Sequence, residues 1–216
     1  ANKNITAIPS NLVSLKILYC CGNNITHIPE SLVNLNALYC NNNKITSIPD
    51  TLTQLKVLFC SKNEIETIPD TLTQLQTLHC SNNKIDRIPE ILTQLEVLYC
   101  NNNRIERIPE TLTQLHTLYC NGNKLTSLPR SLVFLTNLSC SKNKLVEIPD
   151  TFIDLVIIVC NSNHITSIPD TINPTILYCN DNRIDSIPNT LTNLVHLSCN
   201  DNKITRLPNT LNHLNY

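Results

Sequence analysis

The sequence lacks methionine and tryptophan, contains only two glycines, and carries almost no net charge. Its formal net charge of −1 creates no overall field that would attract DNA, RNA or an anionic lipid surface. No apolar run approaches the roughly 18 residues that a helix needs to cross a bilayer. Residues 1–5 contain no apolar core of a signal peptide. We therefore expect neither a nucleic acid nor a membrane as partner.

What the sequence does contain is one pattern that recurs every twenty residues, as in Leu55-x-x-Leu58-x-Cys60-x-x-Asn63-x-Ile65-x-x-Ile68-Pro69-x-x-Leu72. We number the repeat from its first leucine, so that Leu55 is position 1. A fixed period of this length predicts a solenoid, in which each unit contacts mainly its neighbours. We expect a single domain over 1–216 with about ten repeats, one of them nineteen residues long, and partial repeats at both ends.

Apolar and variable residues alternate around positions 3 to 7, which is the spacing of a strand. One strand per repeat, always entered in the same direction, predicts a parallel sheet. Proline at position 15 suits an extended, polyproline-like or 3₁₀ return segment, and twenty residues leave no room for a full α-helix. In the nineteen-residue repeat Pro174 takes position 1, which predicts a local kink.

Ten of the eleven cysteines share position 6 of the repeat. Ligands twenty residues apart on parallel strands cannot surround a zinc ion, and strands about 4.8 Å apart exceed the roughly 3.8 Å between Cβ atoms of a disulfide. We therefore predict buried free thiols, no metal and no cofactor. Such a column suits a reducing compartment, so we expect an intracellular, cytoplasmic protein, including the cytoplasm of a host cell. The eleventh, Cys21, has no histidine or cation beside it and is interpreted as a bystander.

Position 9 is asparagine in ten repeats. An inward-pointing asparagine can donate and accept hydrogen bonds where the turn leaves backbone groups without partners. We therefore interpret this column as structural rather than as a ligand site.

The segment LxxLxCxxNxI resembles the LxxLxLxxNxL core of the leucine-rich repeat family, and the resemblance covers essentially the whole chain. The short unit with Ile-Pro or Leu-Pro is similar to repeats of secreted bacterial effectors. Cysteine at the strand core, with runs of asparagine, is similar to repeat proteins of amoebae and their giant DNA viruses. The resemblance implies an arc or horseshoe whose concave sheet binds other proteins.

Position 5 predicts a row of rings along the outward face of the sheet. The candidate partner-binding residues of this row are Tyr19, Tyr39, Phe59, His79, Tyr99, Tyr119 and, further on, Tyr178. Rings on adjacent strands can stack on each other and shield the sheet. They can also anchor a protein partner, because tyrosine is enriched at binding hot spots. The two interpretations are compatible, and both stay open.

A second candidate surface departs from the repeat's own consensus. Val156, Ile157 and Val159 are apolar at variable strand positions, and Phe134 and Val133 lie in the preceding turn. Position 2 is usually polar, so this patch, which we assign to the concave sheet face, is either a partner-binding contact surface or variation that local packing accommodates.

No catalytic constellation is evident, since the six histidines occupy unlike repeat positions. We therefore predict a non-enzymatic module that binds a protein through its concave sheet. The alternatives are a targeting arm of a larger protein with an enzyme domain outside this chain, or a self-associating spacer that joins through the solenoid ends or the apolar patch. Because the chain starts and stops inside a repeat and Lys3 replaces the asparagine of position 9, we expect a fragment or ends that stack on another copy.

Overall fold

The computed structural model describes residues 4–211, which form a solenoid with one short strand in each repeat. The ten strands are β1 (Ile17–Tyr19), β2 (Ala37–Tyr39), β3 (Val57–Phe59), β4 (Thr77–His79), β5 (Val97–Tyr99), β6 (Thr117–Tyr119), β7 (Asn137–Ser139), β8 (Ile157–Val159), β9 (Ile176–Tyr178) and β10 (His196–Ser198). They pair in parallel and in chain order in a single sheet. No helix occurs within the described residues, so the predicted solenoid with a parallel sheet is confirmed. Lys3 lies outside the described residues.

The sheet keeps an exact register from one repeat to the next. Positions 3, 4 and 5 of each strand pair with the same positions of the next strand, as Leu58 pairs with Leu78. The register is kept even across the nineteen-residue repeat, where Ile157 pairs with Ile176. The sheet is therefore continuous at the point where the sequence predicted a kink.

The core is a stack of identical layers. Positions 1, 4, 6, 11, 14 and 18 are buried through the middle of the chain; in one layer Leu55, Leu58, Cys60, Ile65 and Leu72 have no exposed surface. Position 4 alternates with the outward positions 3 and 5, because successive side chains of a strand point to opposite faces. The buried side chains of all repeats thus form one continuous hydrophobic core, and the repeats do not have separate cores.

The return segment consists of two consecutive turns rather than a helix or an extended strand. The N–H of Leu72 donates to the carbonyl of Pro69 at 3.4 Å, and the N–H of Leu75 donates to the carbonyl of Leu72 at 3.1 Å. Proline fits the first position because only its carbonyl is used there. These are the i to i+3 bonds of a 3₁₀ turn, closed once each and not continued.

The nineteen-residue repeat is one residue shorter than the others, and the residue is missing from the second of these turns. The first turn is kept, with the N–H of Ile172 donating to the carbonyl of Pro169 at 3.5 Å, but Pro174 at position 1 has no N–H to close the second. The side chain of Asn173 instead accepts the N–H of Asn193 at 3.0 Å and donates to Thr192 Oγ1 at 3.2 Å. The loss of one residue is therefore compensated on the return side, away from the sheet.

A column of hydroxyl groups at position 17 connects the repeats on the return side, and the sequence reasoning missed it. Each donates to the backbone carbonyl of position 16 in the preceding repeat; the donors are Ser31, Thr51, Thr71, Thr111, Ser131, Thr151, Thr171 and Thr210. Ile91 interrupts the column with an exposed apolar side chain. A recurrent serine or threonine one residue before a buried leucine was the available signal.

Candidate protein-binding face

The ring row on the outer face of the sheet is continuous from β1 to β6. Ring centroids are 4.5 Å apart for Tyr19 and Tyr39, 5.0 Å for Tyr39 and Phe59, 3.9 Å for Phe59 and His79, 4.1 Å for His79 and Tyr99, and 4.5 Å for Tyr99 and Tyr119. Four of the five pairs are nearly parallel, and the pair of Tyr39 with Phe59 is edge-on at 65°. We call these six residues the ring row.

Stacking decides which part of each ring faces solvent. Where two parallel neighbours cover the faces of a ring, as for His79 and Tyr99, the outer edge is what a partner can reach. Tyr19, at the end of the row, is 73% exposed, whereas the other five are half-buried. The row therefore offers ring edges and tyrosine hydroxyl groups along its length.

Burial within the ring row shifts the pKa of two side chains, His79 and Tyr99. Desolvation lowers the pKa of His79, so its ring is neutral at neutral pH. Desolvation, followed by the influence of Tyr119, raises the pKa of Tyr99, which keeps its phenol protonated. The middle of the ring row is thus uncharged at neutral pH.

The strands are shorter than the sequence suggested, and positions 7 and 8 do not belong to the open sheet face. From Asn41 onward position 7 carries asparagine or serine, and in most of these repeats its side chain accepts the N–H of position 7 in the next repeat. Asn101 Oδ1, for example, accepts the N–H of Asn121 at 2.8 Å, and Ser61 Oγ accepts that of Ser81 at 3.1 Å. The alternation around positions 3 to 7 predicts that position 7 points outward as free surface, and this prediction is wrong because the column joins the repeats.

Position 8 adopts a left-handed backbone in every full repeat. Its residues have φ between 54° and 68°; they are Gly22, Asn42, Lys62, Asn82, Asn102, Gly122, Lys142, Ser162, Asp181 and Asp201. Glycine, asparagine and aspartate tolerate this conformation best. The two glycines of the chain, both at position 8, were the signal that the strand ends here and a turn begins.

The asparagine of position 9 closes that turn from the inside. Asn83 Nδ2 donates to the carbonyls of Cys60 and Cys80, both at 3.0 Å, and its Oδ1 accepts the N–H of Ile65 at 2.9 Å. Two consecutive repeats are therefore joined by one side chain. Within the described residues no buried side-chain nitrogen or oxygen atom lacks a hydrogen-bond partner.

The cysteines are unpaired, and those of the inner repeats are buried. Desolvation raises the pKa of Cys100 to about 12 and that of Cys60 well above 9.0, where the neighbouring Cys80 adds to the shift. These thiols are therefore protonated and unreactive at neutral pH. Cys21 is exposed at position 7 beside the start of the ring row.

The second candidate surface is only partly assembled. Ile157 and Val159 lie on β8 and point to the sheet face, half-buried. Val156 precedes β8, so its assignment as a strand residue is wrong; it is 45% exposed on the connection before the strand. Phe134, 48% exposed, lies on the connection before β7, and its ring neighbour is His116, which precedes β6, at 6.2 Å.

Tyr178 lies at position 5 of β9 and is exposed. Its neighbours in the sheet are Val159 and Ser198, so no ring stacks on it. It does not extend the ring row, from which Ser139 and Val159 separate it.

The charged side chains pair with each other away from the ring row. Lys84 bonds Glu64 at 3.1 Å, and Arg87 bonds both carboxylate oxygens of Asp70 at 3.1 Å. All these groups are exposed, so they form a solvated edge of mixed charge. Among residues 4–211, no group of three or more metal-binding side chains is present, and no helix is long and apolar enough to cross a membrane.

Comparisons with known proteins agree with this geometry. Sequence profiles of the leucine-rich repeat match residues 14–35, and two-copy profiles of the same repeat match residues 53–93 and 93–133. A comparison with curated protein sequences finds no significant match.

Among solved structures, the functional domain of InlJ from Listeria monocytogenes, described as including a cysteine ladder, superposes with a TM-score of 0.93 and 30% identity. The match covers 98% of this chain and 50% of that one, so the chain spans about half of that domain. The internalin InlF of the same species matches at 25% identity over 95% of this chain and 74% of that one, with a TM-score of 0.76.

A plant relative was solved together with a protein partner. The ectodomain of the receptor kinase GASSHO1/SCHENGEN3 from Arabidopsis thaliana, in complex with CASPARIAN STRIP INTEGRITY FACTOR 2, shares 29% identity and a TM-score of 0.80. That match covers 94% of this chain and 29% of the receptor chain. Leucine-rich repeat folds serve as protein-protein interaction modules, and most of these neighbours are interaction domains rather than enzymes. The repeat pattern, the stacked parallel strands and these matches together identify the chain as a leucine-rich repeat protein with a cysteine at the core of its strands.

Proposed function

We propose that the protein binds another protein through the outer face of its sheet, with the ring row as the main contact. The observation that carries this proposal is the run of six rings on consecutive strands, because the fold does not require rings at position 5. Ser139, Val159 and Ser198 occupy the same position on later strands without any change in register. The rings therefore add a surface property that the solenoid can form without.

The ring row is well prepared for binding. Each inner ring is held between two neighbours at 3.9 to 5.0 Å, so little side-chain freedom remains to be lost when a partner docks. Tyrosine hydroxyl groups can hydrogen-bond while the ring edges make apolar contact, which is the combination found at binding hot spots. The neutral state of His79 means that no buried charge has to be desolvated at neutral pH.

The test is affinity capture with the purified protein as bait. Replacing Tyr39, Tyr99 and Tyr119 together by alanine is expected to remove at least 90% of the captured partner. The control is the triple alanine variant of Gln74, Gln94 and Gln114, which share one repeat position and lie exposed on the return side. Thermal melting of both variants verifies that each is folded. Partners that remain bound to the tyrosine variant would refute the ring row as the binding surface.

A second candidate function is self-association through the apolar side chains before β8. Ile153 is 61% exposed and Val156 is 45% exposed, at positions that are threonine and a polar residue in most other repeats. Sedimentation velocity from low to high concentration tests this candidate. A dimer that disappears in the Ile153→Lys, Val156→Lys variant would support it, and a monomer at all concentrations would refute it.

We also infer that the protein folds and works in a reducing, intracellular compartment. Its thiols are protected once folded, but an unfolded chain with eleven cysteines would form non-native disulfides under oxidising conditions. Refolding yield from denaturant is expected to fall severalfold with oxidised glutathione relative to excess reductant. Equal yields would remove the reason for this assignment.

A further inference from the structure

The ring row ends in a gap one side chain wide. On β7 the ring position is taken by Ser139, and on β8 it is taken by Val159. Tyr119 therefore has a ring on one side only. We call the space above Ser139, between Tyr119 and Val159, the Ser139 slot.

One wall of the slot is the open face of Tyr119. Its ring lies parallel to that of Tyr99, at 8° and 4.5 Å, and Tyr99 covers the face toward β5. The opposite face is directed along the row toward β7. Two strand spacings separate Tyr119 from Val159, about 9.6 Å. A single flat ring placed midway would keep the spacing of 3.9 to 5.0 Å that the row already has.

The side-chain donors at the floor of the slot each have a hydrogen-bond partner. Ser139 Oγ donates to Asn121 Oδ1 at 2.9 Å, and Asn137 Nδ2, beside it on the strand, donates to Thr136 Oγ1 at 3.0 Å. Ser141 Oγ donates to the carbonyl of Val159 at 3.4 Å. Because these donors already have partners, the slot favours a flat apolar side chain over a polar one.

The first charged residues that follow β7 in the chain are cationic. Lys142 and Lys144 follow β7 at positions 8 and 10, both exposed. Among the described residues, neither has a carboxylate within 4.0 Å, whereas Lys124 of the preceding repeat is paired with Glu106. A partner segment with an acidic group next to its ring would complement these two lysines.

We propose that the Ser139 slot binds an aromatic side chain from an acidic segment of the partner protein, which continues the ring row across β7. This inference rests on the proposed protein-binding function of the sheet face. It adds the anchor residue that the partner must supply and its position on the sheet.

The chain contains a matched control in Ser198. It lies on β10 next to Tyr178 of β9, as Ser139 lies next to Tyr119. Its Oγ donates to Asn180 Oδ1 at 2.8 Å, just as Ser139 Oγ donates to Asn121 Oδ1. Within the described residues no strand follows β10, so this site has one wall only. Its position-8 residues, Asp181 and Asp201, carry negative charge in place of Lys142, while position 10 stays cationic with Arg183 and Lys203. We expect an acidic aromatic probe to avoid the Ser198 site.

The first experiment uses N-acetyl-tryptophan, which carries a carboxylate, as the probe in NMR titrations of the full chain. Saturable shifts are expected at the amides of Asn137, Ser139 and Ser141. N-acetyl-tryptophan amide is expected to bind severalfold more weakly, and N-acetyl-leucine at least tenfold more weakly. Shifts spread evenly along the ring row, or equal binding of the leucine probe, would overturn the proposal.

The second experiment fills the slot. Ser139→Tyr places the chain's own ring against Tyr119 and is expected to abolish probe binding, while Ser198→Tyr leaves it unchanged. Thermal melting reports whether Ser139→Tyr folds. The independent variant Tyr119→Leu removes the stacking wall and is expected to weaken probe binding at least fivefold. Probe binding that survives both variants would refute the slot.

The outcomes separate this inference from the proposed function. If Ser139→Tyr still captures the partner that the triple tyrosine variant loses, the slot proposal fails and the sheet-face proposal stands. If the probe binds at the slot but the triple tyrosine variant still captures the partner, the sheet-face proposal fails.

Discussion

The asparagine column inside the solenoid and the ring row outside it share one register. The residue type is constant in the asparagine column, whereas it varies from repeat to repeat at the ring position. Asparagine fills position 9 in every repeat from Asn23 to Asn202, whereas the ring position changes to Ser139, Val159 and Ser198 in the later strands. The inner side chain joins two backbones through bonds that few other groups can form. The outer rings contact mainly each other. Burial therefore explains the asparagine column, whereas the fold does not require the ring row, for which we propose a role in protein binding.

The largest effect that would sharpen this comparison is unfolding at alkaline pH. We expect it because the thiols buried inside the solenoid must ionise. Burial raises the pKa of the position-6 thiols, such as Cys100 to about 12, above the 9.0 of an exposed thiol. The unfolded chain therefore loses protons first, and stability that is complete below pH 9 is lost as the pH rises toward 12. One pH unit above 9.0, each buried thiol contributes about 1.4 kcal/mol of destabilisation. With several such thiols, cooperative unfolding is expected near pH 10 in circular dichroism titrations.

The control for this transition is Cys100→Ala. It is expected to lower the free energy of unfolding at pH 7 because it leaves a small cavity. It should also make the fall in stability between pH 9 and pH 11 less steep, because one fewer thiol titrates. An unchanged slope would contradict the thiol explanation.

The next largest effect is expected for Asn83→Ala. The change leaves the carbonyls of Cys60 and Cys80 and the N–H of Ile65 without their side-chain partner. We expect a loss of about 3 kcal/mol in the free energy of unfolding, measured by urea denaturation. The same substitution of Asn202, where the turn is more exposed, should cost less than half as much because water reaches the freed groups. Equal losses at both sites would contradict the role of burial.

A smaller effect on stability is expected for the ring row. Tyr99→Ala removes two ring contacts, with His79 and with Tyr119, and is expected to cost about 1.5 kcal/mol. Tyr19→Ala removes one contact of a ring that is 73% exposed and should cost about half of that. A double-mutant cycle of Tyr99 and Tyr119 in urea denaturation measures the stacking directly. Coupling indistinguishable from zero would mean that the rings do not support each other.

The smallest effect is expected for the exposed charge pairs. Lys84→Ala removes the 3.1 Å contact with Glu64, where both side chains are about half exposed. We expect a loss of about 0.3 kcal/mol at low salt and none in 0.5 M salt, measured by urea denaturation. A loss above 1 kcal/mol would show that these edges contribute more than solvated pairs do.

Sequence reasoning predicted the parts of the fold that repeat. The apolar positions of each repeat, such as Leu58 and Ile65, and the strand between them follow from periodicity alone. The ring row was predicted residue by residue, since position 5 alternates with a buried position. Position 7 was misread because its hydrogen bond goes to the next repeat, and no pattern within one repeat shows that. Phe134 was assigned to the sheet face, but its contact with His116 depends on a connection whose direction the sequence does not give.

The twenty-residue period determined that this chain stacks its repeats, buries its cysteines and brings its rings onto neighbouring strands, because these features follow from spacing that every repeat shares. Only the tertiary structure decided which faces of those rings stay open, where the row ends against Ser139, and how Asn173 replaces a turn in the shortened repeat. The physical reason is that these features arise between repeats, from contacts about 4.8 Å apart in space but twenty residues apart in the chain.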